Sequence, residues 1–302
     1  MDLIMDKIHH FQTFYNKAHS MSDERVANWF LMQSYLPTLA ITGLYLFIVW
    51  IGPKIMESRE ALKFKYTLFF YNLCLIIMNL HIFTEIIIAS TNLGYSYYCQ
   101  PVNYTYDVNE MRIAKALWWF YFSKCVEMLD TVFFILRKKN NQVSFLHVYH
   151  HATMFPIWWI GVKWVAGGQS FFGAMLNSFI HVVMYTYYGV SALGPQFQKY
   201  LWWKRYLTKL QLIQFVTGIA HTARSLFWGC NFPAWMHWAL IFYAFTILLL
   251  FLNFYVQTYI KSSRKKAIEK GKTQNGSVSN GKAAHNGVAH GSGDIQEHKK
   301  EK

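Results

Sequence analysis

The sequence predicts an all-α integral membrane protein with seven transmembrane helices. Three observations predict it. Of the 302 residues, 54% are apolar and 19% aromatic, a composition suited to a chain that meets lipid as well as its own core. Seven stretches of roughly 20 mostly apolar residues follow one another, each long enough to cross a bilayer. Lysine and arginine concentrate in alternate connections between those stretches, as they do when one side of a membrane is favoured for positive charge.

The elements follow in order. Residues 1–33 are polar and mixed, with no apolar core or cleavage site of a signal peptide, so the chain is expected to begin at Met1 with a short extramembrane segment. Spans are expected at 34–52, 66–89, 113–136, 146–164, 169–192, 206–228 and 234–260. Together, residues 34–260 form one membrane domain. Residues 261–302 carry Gly, Asn, Ser, Lys and His with few large apolar side chains, the composition of a disordered tail.

The net charge of +14 is unevenly spread. Lys54, Arg59, Lys63 and Lys65 lie between spans one and two, and Arg137, Lys138 and Lys139 follow span three. Lys199, Lys204, Arg205 and Lys209 lie between spans five and six, and Lys261, Arg264, Lys265 and Lys266 follow span seven. All four clusters fall on one side. The positive-inside bias makes that side cytosolic, with the N-terminus luminal and the C-terminus cytosolic. Most of these charges set topology, although a basic rim also suits a phosphorylated, acidic substrate. No basic soluble module exists to bind nucleic acid.

Cys99 and Cys230 fall in non-cytosolic loops, where an oxidising lumen permits a disulfide; sequence alone leaves their separation open. Cys74 and Cys125 lie within spans and read as small core residues. Asn103-Tyr104-Thr105 is a glycosylation sequon on the luminal side. Asn275-Gly276-Ser277 matches too, but in the cytosolic tail. The tail ends Lys299-Lys300-Glu301-Lys302, a dilysine pattern that reads either as a solvated charge run or as a retrieval signal for the endoplasmic reticulum.

His147-Val148-Tyr149-His150-His151 places three imidazoles on one helical face. Polar, titratable groups in a span are costly and mark function. His81, His221 and His237 are isolated and read first as hydrogen-bonded packing residues. Span three adds Lys124, Glu127, Asp130 and Thr131. Lys124, Glu127 and Thr131 align, with Asp130 offset, either as a structural ion pair or as a shell that orients and tunes the histidines. In span five, Asn177, His181, Tyr185 and Tyr188 form one stripe, with Tyr187 beside them, and read as the lining of a reaction chamber.

Two chemistries fit such histidines. Membrane di-iron desaturases and hydroxylases also carry HxxHH, but their two irons need about eight histidines from several boxes, and no second box lies within these spans. Nucleophilic catalysis needs fewer: a neutral imidazole attacks a thioester, and the acyl-imidazole is itself an acyl donor. A non-enzymatic carrier or receptor for acyl lipids is a third reading. No metal site is expected.

Four ordered motifs carry a resemblance: Lys124-x-x-Glu127-x-x-Asp130-Thr131, His147-x-x-His150-His151, Asn177-x-x-x-His181-x-x-Met184-Tyr185-x-Tyr187-Tyr188, and Gln211-Leu212-Ile213-Gln214-Phe215. Together they closely resemble the signature of the ELO family of fatty-acid elongases. The resemblance implies six spans in a barrel around a narrow acyl tunnel, with a seventh span peripheral. It implies condensation of a long or very long acyl-CoA, saturated or polyunsaturated, with malonyl-CoA. CoA and carbon dioxide are released, and the 3-oxoacyl-CoA formed is two carbons longer. No cofactor is implied beyond these substrates. On this chain, His150 becomes the acyl-accepting nucleophile of a ping-pong reaction; a concerted mechanism and a cysteine nucleophile at Cys125 stay open. His181 and Asn177 are the candidates for oxyanion stabilisation, with His147, His151, Lys124, Glu127 and Asp130 in support. Tyr185, Tyr187, Tyr188 and Gln211 are expected to meet substrate. Arg137, Lys138, Lys204, Arg205 and Arg264 are expected to meet the CoA phosphates. The implied partners, besides the bilayer, are other elongases and the reductases and dehydratase of the same membrane, where the product is processed.

Overall fold

A computed structural model describes residues 2–261. Arg264, Asn275, Lys299 and Lys300, with the rest of the predicted tail, lie outside the described residues. Among the described residues the chain is helical and has no strand. Residues 1–253 cluster as one compact unit and residues from 254 onward as a second.

The N-terminal segment contains a helix, α1 (Asp2–Ser20), followed by a short 3-10 turn at Glu24–Val26. Val26 and Met32 are fully buried in the main core, so residues beyond α1 are part of the bundle and not a loose extension. Asp23 and Arg25 form a buried ion pair, Nη2 to Oδ2 2.7 Å. The same guanidinium donates to the carbonyls of Asn103 at 2.8 Å and Ala166 at 3.1 Å. This satisfies a charge removed from water and ties three connections together.

The predicted spans each become a helix, with one divided. They are α2 (Leu36–Glu57), α3 (Lys65–Asn92), α4 (Val108–Glu127) with α5 (Leu129–Leu136), α6 (Phe145–Trp164), α7 (Ser170–Ala192), α8 (Lys204–Phe227) and α9 (Ala234–Tyr255). Pro37 opens α2, where its missing N–H costs nothing. Asp107 caps α4 through the N–H groups of Asn109 and Glu110, and Ser144 caps α6 through that of His147, each satisfying donors that the first turn leaves free.

By length and composition, α2, α3 and Ala234–Lys261, which contains α9 and a π-helical turn, are long and apolar enough to cross a membrane. Their outer faces carry large exposed apolar side chains, including Leu44, Phe47, Trp50, Phe70, Ile77, Phe242 and Leu249. This is a surface for lipid, not for water. The remaining helices are less uniformly apolar; in α4 and α7 the buried polar residues Lys124, Glu127, Asn177 and His181 turn inward to one another. α3 packs along α7 and α4, α4 along α6 and α7, α7 along α8, and α2 along α5 and α6. α9 meets α6 through Tyr149–Thr246 and Thr153–Tyr243 hydrogen bonds at 3.1 and 2.9 Å.

At the end of the bundle bearing Asn103, Cys99 and Cys230 are joined as a disulfide, Cα–Cα 5.3 Å. Nearby, burial holds the Tyr95 phenol well above its ordinary pKa, so it donates to Glu110. At the other end Lys138 reaches the Glu57 carbonyl at 3.1 Å, bringing two of the basic connections side by side.

Candidate active site

The site is built from α4, α5, α6 and α7. On α4, Lys124 and Glu127 stand one turn apart and are fully buried; Lys124 Nζ lies 2.9 Å from Glu127 Oε1. The ammonium also donates to Asn177 Oδ1 at 3.1 Å, and Glu127 Oε1 lies 3.1 Å from His181 Nδ1. One buried ion pair thus fixes both polar residues of the α7 stripe. Lys124 has only donors to offer. Asn177 must therefore present its carbonyl to Lys124, which leaves its amide N–H groups directed elsewhere.

The three box histidines separate into two roles. His147 Nε2 lies 2.7 Å from Thr131 Oγ1 on α5, and Thr131 lies 3.0 Å from the Tyr45 hydroxyl on α2. His151 is buried, with its ring centroid 4.4 Å from that of His147 and 5.1 Å from that of His150. His150 alone of the three lines a cavity, which it shares with Asn177. Residues of α4, α6, α7, α8 and α9 form the wall, with Phe120, Met154, Trp158, Leu240 and Tyr243 supplying much of its apolar surface. The lining runs along α6 from His150 to Gly161, eleven residues or about 16 Å at the helical rise. Apolar side chains thus line most of the wall between the polar residues His150 and Asn177 and the polar group Gln169, Ser170, His221 and Thr222.

Residues 30–267 match the family described as ELO: GNS1/SUR4. The chain belongs to this family. It is 62% identical over 260 residues to very long chain fatty acid elongase 4 of Homo sapiens, covering 86% of this chain and 82% of that one. Its identity to very long chain fatty acid elongase 2 of Mus musculus is 47% over 278 residues, covering 91% and 94%.

Within this ELO chain the other predicted site residues fall in several places. Asp130 lies beside Tyr185, whose hydroxyl donates to Oδ2 at 3.0 Å. Tyr185 is therefore a buried partner of α5 and does not line the cavity. Tyr187 packs in a separate cluster with Leu201 and Leu207, and Tyr188 stacks edge-on against it. Gln211 donates to Met184 Sδ at 3.5 Å, while Gln214, one turn further on, lines the cavity. Of the two glutamines, Gln214 and not Gln211 faces the cavity. The repeat Gln214, Gly218, His221, Thr222 was the available signal, since these positions share one helical face. His221, expected to be a packing residue, lines the cavity as well, stacked on Phe172 at 4.0 Å. His237 is the buried packing histidine expected, bonded to Ser225 at 2.9 Å. His81 and Cys74 depart from their core assignment: both are exposed on α3.

Arg137 ends α5, Lys138 is exposed beside it, and Lys204 and Arg205 are exposed at the start of α8. Asn103 is exposed, and its side-chain carbonyl accepts from the Thr105 N–H at 3.2 Å. Among the described residues no group of three or more His, Cys, Asp or Glu side chains assembles as a metal site.

Proposed function

We propose that the chain is a very-long-chain 3-oxoacyl-CoA synthase, the condensing enzyme of fatty-acid elongation. It joins a long or very long acyl-CoA to malonyl-CoA, releases CoA and carbon dioxide, and yields a 3-oxoacyl-CoA two carbons longer. Membership of the ELO family and the printed names of the relatives support the reaction class. The observation that carries the site assignment is the position of His150. It is the box histidine on the cavity wall, its ring unbonded among the described residues, and it shares that wall with an asparagine held by a buried ion pair.

The reaction follows from that arrangement. The acyl chain lies along Met154, Trp158 and Leu240, where burial of each methylene gains about 0.8 kcal/mol. Its thioester stops at His150. The neutral imidazole nitrogen attacks the carbonyl, the C–S bond breaks, and CoA departs as the thiol with the imidazole proton. Malonyl-CoA then loses carbon dioxide, and its enolate carbon attacks the acyl-imidazole. The C–N bond breaks, and the departing imidazolate takes a proton from solvent, regenerating neutral His150. Oxyanions form in both steps. The Asn177 amide on the cavity wall, its carbonyl held by Lys124, is preorganised for them, and His181, held by Glu127, stands one turn further along α7 and outside the cavity lining.

The same reading makes predicted spans two to seven a barrel around the acyl tunnel, with α2 peripheral. Its support is a cavity walled by α4, α6, α7, α8 and α9, the helices of predicted spans three to seven. It places the protein in the endoplasmic reticulum membrane, N-terminus luminal and basic connections cytosolic. Arg137, Lys138, Lys204 and Arg205 stand at the CoA side, and the elongation reductases and dehydratase are neighbours that consume the product.

The test is extension of an acyl-CoA panel with labelled malonyl-CoA by the purified full chain. Wild type is expected to give products two carbons longer, and intact mass is expected to show an acylated protein when malonyl-CoA is withheld. His150→Ala should lose both while keeping expression and membrane location. Normal extension by that variant would falsify the role assigned to His150.

A further inference from the structure

We propose that Tyr45 of the outer helix α2 is a positioning residue for the histidine box. It acts through Thr131 to fix which nitrogen of His147 carries the proton. The inference rests on the elongase reading for its kinetic consequence, although not for its geometry.

Three helices meet in one short chain of hydrogen bonds. The Tyr45 hydroxyl lies 3.0 Å from Thr131 Oγ1, which lies 2.7 Å from His147 Nε2. Tyr45 is 3% exposed and Thr131 fully buried, so water does not substitute for either partner. Some helical threonines of this chain, Thr42, Thr84 and Thr153 among them, turn the hydroxyl to the carbonyl four residues back. Thr131 does not: its hydroxyl joins α2 to α6 instead.

Hydrogen bookkeeping gives the chain a direction. If His147 donated from Nε2, the two hydroxyls would have only each other to donate to, and one of their hydrogens would be buried with no acceptor. A buried unsatisfied donor is costly. In the opposite sense both hydroxyl hydrogens are used: Tyr45 donates to Thr131, and Thr131 donates to His147 Nε2, while Nδ1 of His147 is not among the buried atoms left without a partner. His147 then keeps its proton on Nδ1. Its ring lies against His151, which lies against His150, so the tautomer sets the dipole beneath the residue on the cavity wall.

The approach of α2 is itself built in. Gly52 lies two turns beyond Tyr45 on the same face. A Cβ there would sit 2.9 Å from Ile135 Cγ2 on α5. Glycine lets α2 close on α5 near enough for Tyr45 to reach Thr131.

The experiment is a double-mutant cycle on the full chain, with kcat and KM for acyl-CoA and the melting temperature measured together. Tyr45→Phe and Thr131→Val each remove one hydroxyl with little change of shape. Each should lower kcat about tenfold, the lower bound for partners that orient functional histidines, with KM unchanged. The double variant should be no worse than either single, because both break one chain. Thr131→Ser, which keeps the hydroxyl, should stay near wild type. Nitrogen chemical shifts of histidine-labelled protein, assigned by loss of a signal in His147→Gln, read the tautomer without turnover. They should report Nδ1–H in wild type and a change in Tyr45→Phe. Additive losses, an unaffected Tyr45→Phe, or an Nε2–H tautomer in wild type would overturn the proposal. Failure of wild type to extend any acyl-CoA while the tautomer signals behave as stated would overturn the elongase reading instead.

Discussion

At the scale of single residues, the buried Lys124–Glu127 pair is the most consequential feature. Its charges are held by each other, by Asn177 and by His181. Removing one charge leaves the other stranded, at a typical cost of about 3–5 kcal/mol. Lys124→Met is therefore expected to lower the melting temperature sharply. Glu127→Gln keeps the shape but strands the buried Lys124 ammonium, so it too is expected to lower the melting temperature, and to lower kcat through misplacement of His181 and Asn177. Equal melting temperatures for Lys124→Met and wild type would show that the pair carries no such load. The residue types and the helical face of this pair were legible in the sequence, but their partners were only partly so. The shell expected to orient the box histidines instead orients the α7 stripe, while Thr131 alone reaches His147. The reason is local. The Met128 N–H bonds the Cys125 carbonyl and the Thr131 N–H bonds that of Met128, contacts three residues apart that tighten the helix there. This shifts Asp130 and Thr131 in phase relative to Lys124 and Glu127. No proline or glycine announces that turn.

At the scale of elements, apolar runs located every helix of the bundle, since length and hydropathy are local properties. They did not foretell the order of residues beyond α1, because Val26 and Met32 are buried by connections distant in sequence. Nor did they foretell which glutamine of α8 meets the cavity, which depends on the rotation of one helix against its neighbours. Connections obey tighter rules than helices. Gly168, between α6 and α7, has φ of 53°, and a Cβ on it would meet Val102 N at 2.8 Å and Gln100 O at 2.9 Å. The conformation alone costs a non-glycine residue about 1–2 kcal/mol, and the facing atoms are backbone that cannot swing away. Gly168→Ala is therefore expected to be destabilising by more than that amount. Gly173→Ala, whose Cβ meets nothing within 4 Å, should be neutral or stabilising in the same melting assay, as the helical position favours alanine.

At the scale of the whole molecule, the two ends of the bundle differ in chemistry. One end carries a disulfide, the Asp23–Arg25 pair and an exposed sequon; the other presents exposed lysines and arginines in its connections. If the basic end faces the cytosol, CoA substrates approach through a favourable potential, and the acyl chain points toward the disulfide end. A bilayer enforces this polarity on every helix at once, because alternate connections must lie on alternate sides. The side can therefore be read from one loop. In sealed microsomes Asn103 is expected to carry a glycan that endoglycosidase removes and that Asn103→Gln lacks. A protease added outside should cut near Lys138 or Lys204 while sparing residues 93–107. An unmodified Asn103 together with cleavage of residues 93–107 in intact vesicles would invert the molecule. The basic cluster would then face the lumen, and the path proposed for CoA would have to be abandoned, while the hydrogen-bonded histidine geometry inside the bundle would stand unchanged.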